Sequence, residues 1–138
     1  MMHLLNRHYR ELCADETGFR RLTGLRVSEF EALHEPFAKA WIDYFANYTL
    51  EGQARYRKAS MRKNSIFTDT RDALLFALLY YKGNVLQEEL ATQFDIDQPK
   101  ASKYLHLISK LLARTLQENA KVLPKVKIDR LKQVIIIN

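Results

Sequence analysis

Along most of this chain apolar residues return at every third or fourth position, a spacing that predicts helices packed on a common core. Residues 3–13 form a first amphipathic stretch that should stop before Gly18. Ser28 and Glu31 then stand three apart, as in a capping box, and predict a helix start. In the helix that follows, Phe30, Leu33, Phe37, Trp41, Tyr44 and Tyr48 fall on one face, which should be core. Pro36 interrupts that helix, so either a kink near Glu35 or a restart is expected. From residue 69 the pattern changes again. Ala73 to Tyr81 is apolar on every side, which places a helix ending at Gly83 and Asn84 in the centre of the molecule.

The next 33 residues, 85–117, carry the most specific pattern. Residues 85–94 predict a short helix, Asp95, Ile96 and Asp97 a tight connection, and residues 98–117 a long helix. Ala101, Tyr104, Leu105, Ile108, Leu111, Leu112 and Leu116 form one stripe on the long helix. Two helices joined by three residues are a helix-turn-helix unit. Ala91 supplies the small side chain where the second helix crosses the first, and Asp95 takes the turn position that requires positive φ. Glycine is usual there; aspartate tolerates the left-handed region better than most other residues. Asp97 is a good N-cap, with Gln98 and Pro99 in the first turn behind it. Together these segments predict an all-α, multi-helix bundle containing a helix-turn-helix unit, as one compact domain. Residues 1–50 are its N-terminal helical segment, 51–68 a basic loop or arm, 69–120 the helix-turn-helix core, and 121–138 a basic linker and apolar tail. Val134 to Ile137 is β-prone, and the tail should be short and extended.

Charge sharpens this picture. Residues 1–50 hold six Lys/Arg against seven Asp/Glu, whereas residues 51–138 hold 16 against nine, so the basic excess lies wholly in the later part. The asymmetry fits a polyanionic partner, nucleic acid or an anionic membrane surface, or simply a soluble basic surface. Arg55, Arg57, Lys58, Arg62 and Lys63 crowd the predicted loop with no acid between them. Such an arm can lie along phosphates or enter a minor groove, or it can be a solvated charged loop. From Gln98 to Gln117 there is again no acid. With the apolar stripe inward, Gln98, Pro99, Ser102, Lys103 and His106 face out from the half of the helix that would enter a major groove. Gln98 suits adenine and Lys103 guanine, whereas Lys100 and Lys110 suit phosphates.

Several function classes are weakened. The longest apolar run is nine residues, where a membrane-spanning helix needs about 20. Nothing at the N-terminus resembles an export signal, so a cytoplasmic, nucleoid-associated protein is expected. Cys13 is a lone cysteine and therefore forms no internal disulfide or paired-thiolate zinc site. His3, His8, His34 and His106 lack the spacing of metal ligands, and no phosphate loop or nucleophile elbow occurs. No cofactor, metal or catalytic residue is expected.

Leu22-Thr23-Gly24-Leu25, the buried helix, Leu86-Gln87-Glu88 and Ala91-Thr92-Gln93-Phe94 follow one another in an order that resembles the N-terminal helix-turn-helix domain of DDE-superfamily insertion-sequence transposases. The resemblance runs from about Leu22 to Pro124. It implies double-stranded DNA as partner, at terminal inverted repeats or an operator-like site. Cutting and joining would fall to a following ribonuclease-H-like domain that holds two divalent metals through three carboxylates. The tail resembles the linker and first strand into that domain, where the family places its first metal-binding aspartate, but the sequence ends in Asn138. The expectation is a DNA-binding chain without catalysis of its own, acting alone, as a homodimer or with a full-length transposase. The alternative is an oligomerisation module working through the long C-terminal helix and tail.

Overall fold

A computed structural model describes residues 9–55, 67, 69–83 and 85–137. It contains α1 (Tyr9–Leu12), α2 (Glu16–Thr23), α3 (Val27–Asn47), α4 (Thr70–Gly83), α5 (Gln87–Gln93), α6 (Gln98–Glu118) and α7 (Lys125–Ile137), and no strand among the described residues. The all-α bundle expected from the apolar spacing is the architecture found.

α4 is the axis of the fold. Ala73 to Leu79 are all buried, and α2, α3, α5, α6 and α7 each pack against this helix. A helix apolar all round is stable only when wrapped in this way. From α3, Phe30, Leu33, Phe37 and Trp41 enter the core as predicted. Trp41 lies parallel to Tyr104 of α6, with ring centroids 6.4 Å apart. The face continues through Phe45 rather than through Tyr48, which falls beyond the last helical residue and is 44% exposed. α3 also runs through Pro36 as one helix of 21 residues, with no restart.

Three points differ from or add to the expectations. First, the opening helix stops before Gly18 as expected, but Gly18 lies inside a further helix, α2, where Asp15 caps the first turn by accepting a hydrogen bond from the Gly18 amide at 3.2 Å. A Cβ on Gly18 would sit 2.5 Å from the Asp15 carboxylate, so glycine is what lets the cap close in. α2 ends instead at Gly24, whose φ of 81° reverses the chain while its amide bonds to the Arg20 carbonyl at 2.8 Å. Second, the start of α3 is two residues earlier than the Ser28–Glu31 spacing suggests. Glu29, not Glu31, accepts the amide of the N-cap residue Arg26, at 2.8 Å. Glu31 is engaged elsewhere, gripped by Arg71 Nε and Nη2 at 2.9–3.2 Å and by the Tyr9 hydroxyl. Third, the tail is not extended. Val134 to Ile137 is the final turn of α7, and Ile128, Leu131 and Ile135, spaced for one helix face, are buried. With no neighbouring strand to pair with among the described residues, the segment is helical and α7 packs on α4 and α6 through Ile128, Leu131 and Ile135.

Candidate nucleic-acid interface

The geometry of the α5–α6 pair follows from four local interactions. The Phe94 amide is shared between the Leu90 and Ala91 carbonyls, both at 3.2 Å, which tightens the end of α5. Asp95 then adopts φ of 58°; it is the single non-glycine residue with positive φ among the described residues. The Ile96 amide turns back to the Ala91 carbonyl at 3.0 Å. Asp97 starts α6, its carboxylate accepting the Lys100 amide at 2.8 Å. Ala91, Asp95 and Asp97 thus lie at the helix crossing, the turn and the start of α6 respectively.

Packing fixes the angle between the two helices. Leu90, Ala91, Ala101 and Tyr104 are buried at the crossing. Phe94 sets its ring edge-on to Phe76 of α4, centroids 4.8 Å apart, and faces Phe67 at 6.0 Å. Every member of the predicted α6 stripe, from Ala101 to Leu116, is buried. The opposite face is left to solvent: Gln98, Pro99, Lys100, Lys103, His106 and Lys110 are exposed and Ser102 is half-buried. No ion pair joins Glu88 or Glu89 to α6 among the described residues.

Two contacts across this face were invisible in the sequence. The Gln98 side-chain amide donates to Gln87 Oε1 at 2.6 Å, tying the first turns of α5 and α6 together. Lys103 Nζ lies 3.3 Å from Glu51 Oε2, and each side chain remains 53% exposed. Hydrogen bonding to Lys103, aided by the nearby charge of Lys100, holds the Glu51 carboxyl below its usual range. A carboxylate therefore already rests on the exposed cationic face of α6. Glu51 is held by a compact loop after α3 in which Tyr48 and Ala54 form an isolated bridge and Gly52 turns the chain at φ of 88°.

Arg55, one of the predicted phosphate contacts, belongs to this loop; its Nε donates to the Tyr48 carbonyl at 2.8 Å. Arg57, Lys58, Arg62 and Lys63, the rest of the predicted basic arm, lie outside the described residues, as do His3 and His8. Among the described residues no three His, Cys, Asp or Glu side chains gather as metal ligands would, and no helix is long and apolar enough to cross a membrane.

No curated protein and no solved structure matches the chain. A family model described as the helix-turn-helix of DDE superfamily endonuclease matches residues 69–118. That span runs from the residue before α4 to the last residue of α6. It includes the second of the two stretches that carry the resemblance, while Leu22 to Leu25 falls outside it. Residues 69–118 are accordingly similar to a helix-turn-helix of DDE superfamily endonucleases, with α4 in the position of a supporting helix and α5 and α6 in that of the pair itself.

Proposed function

We propose that the chain binds double-stranded DNA with the N-terminal half of α6 in the major groove, serving to recognise transposon ends or to regulate transposition. The observation that carries this reading is the solvent-facing cationic side of α6, with no acid from Gln98 to Gln117, in a segment that matches a helix-turn-helix of this superfamily. Gln98, Ser102, Lys103 and His106 are one to four residues apart and stand on the face opposite the buried stripe. Pro99 stiffens the first turn beside them. Helices in this setting meet base edges with their first turns. Lys103 is the candidate reader of guanine and Gln98 of adenine, while Lys100, Lys110, Arg55 and the Arg57–Lys63 region supply phosphate contacts. The chain's own part is binding; bond cleavage belongs to a ribonuclease-H-like domain that these residues do not form.

Selection from a pool of random duplexes, followed by titration of the selected site across a range of salt, tests the proposal. A recovered motif is expected, with log affinity falling by about 0.9 per log unit of salt for each phosphate contacted. Lys103→Ala should relax base preference at one position, at a cost of about 1–3 kcal/mol on the preferred site. Failure to bind any duplex, or binding insensitive to salt, would refute the assignment.

A further inference from the structure

Away from the outer face of α6, an open groove of about 370 Å³ runs between α2, the end of α4 and α7. Its walls carry five cations, Arg20, Arg21, Lys82, Lys127 and Arg130, and no carboxylate. Lys127 is ion-paired with Glu29 behind it. Arg20, Arg21, Lys82 and Arg130 are exposed and have no ion-pair partner among the described residues.

Helix electrostatics explain part of this cluster. Arg20 and Arg21 occupy the last turn of α2 and Lys82 the last turn of α4, where the dipole favours cations. The same field disfavours cations at a helix start. Yet α7 has no acid in its first turn and places Lys127 and Arg130 in its first half, facing the other three. Among the described residues no ion pair offsets the repulsion among Arg20, Arg21, Lys82 and Arg130. An arrangement that is unfavourable in the free protein is what an anion-binding surface requires.

The groove is also within reach of the proposed DNA face. Lys82 precedes Gln87 by five residues, a span of at most about 18 Å, and Gln87 is hydrogen-bonded to Gln98 at the start of α6. One turn of duplex is ~34 Å. A duplex seated on α6 therefore has backbone within range of the groove.

We propose that this groove is a second seat for the phosphodiester backbone of the same duplex, extending the footprint from the α5–α6 pair to α2 and α7. The inference rests on the DNA-binding reading. Its open shape and its guanidinium and ammonium lining suit a run of phosphates with no demand on base sequence.

The test is the affinity of the full chain for a mixed-sequence duplex of 40 base pairs, measured by fluorescence anisotropy at several salt concentrations. The triple variant R20Q/R21Q/R130Q should bind at least about tenfold more weakly at low salt, with the salt slope shallower by about 0.9 for each phosphate no longer engaged. R20K/R21K/R130K, which keeps the charges, should restore most of both. Thermal melts of both variants verify that these exposed substitutions leave the fold intact. An unchanged affinity and slope in R20Q/R21Q/R130Q would overturn the proposal while leaving α6 as the DNA face. Absence of duplex binding by the unmodified chain would overturn the DNA-binding reading itself. Inorganic tripolyphosphate is the remaining probe. If it shifts the Gly24 and Lys82 amide resonances while DNA affinity is indifferent to the triple substitution, the groove serves a free anion and the backbone assignment fails.

Discussion

Lys103, in the second turn of α6 on its exposed face, is ion-paired with Glu51, a residue 52 positions earlier in the chain. The carboxylate occupies the ammonium that the DNA-binding reading assigns to a base edge, so duplex and Glu51 compete for one cation. The pair is half-exposed, and such contacts contribute about 0–1 kcal/mol. Glu51→Gln should therefore strengthen duplex binding about two- to fivefold, both by freeing Lys103 and by removing a negative charge from the approach to the backbone. Anisotropy titration of E51Q against the unmodified chain decides this, and equal or weaker binding would show that Lys103 is not part of the interface.

The turn between α5 and α6 makes a separate stability prediction. Asp95 stands at φ of 58°, where a residue with a Cβ is strained and glycine is not. Asp95→Gly should be neutral to stabilising, by up to about 0.5 kcal/mol, and Asp95→Val destabilising by about 1–2 kcal/mol. Urea denaturation of the two variants should separate them in that order. The reverse order would mean that the positive φ is not a property of the folded chain.

A buried histidine gives the pH dependence. His34 is 8% exposed and its Nε2 lies 2.6 Å from Thr70 Oγ1. Burial, reinforced by the Arg71 charge, depresses its pKa below the ordinary 6.5. Below pH 6.5 the unfolded chain takes up a proton that the folded chain resists, so the stability due to neutral His34 is complete above that pH and is lost as the pH falls. The carboxyls of Glu29 and Glu31 also titrate low in the fold. Burial opposes the ionised form of Glu29, but the Lys127 and Arg26 hydrogen bonds outweigh it; for Glu31 the Arg71 hydrogen bonds dominate. Both are held below 4.5, so their contributions disappear in a lower, separate window. Melting temperature should decline between about pH 7 and pH 5 in the unmodified chain and stay flatter in His34→Gln. Parallel profiles would contradict the assignment.

The parts of the fold that could be read from the sequence are those set by neighbours in the chain. Asp95, Asp97 and Pro99 fix the turn and the start of α6 through bonds spanning a few residues, and the all-apolar run of α4 admits a single environment. The exposed face of α6 follows from the buried one by helical geometry. What was hidden depends on partners distant in sequence. The helix α2 goes unread until Asp15 is seen capping it across Gly18, and Val134 to Ile137 reads as a strand until the surroundings offer a helical groove and, among the described residues, no strand to pair with. Glu31 has good capping spacing, yet its carboxylate is taken up by charge-assisted hydrogen bonds from Arg71, 40 residues on. No local signal points to Glu51 as the partner of Lys103, or to the meeting of α2 and α7 that gathers the second cationic surface.

Docking of duplex DNA on the N-terminal half of α6 can be observed residue by residue, from the backbone amide resonances of the ¹⁵N-labelled chain during titration with a selected duplex. The largest changes are expected at Lys100, Ser102, Lys103 and His106, with smaller ones at Gln117 near the far end of the same helix. If the changes instead concentrate away from α6 and leave those four amides in place, the helix-turn-helix face is not where DNA is bound.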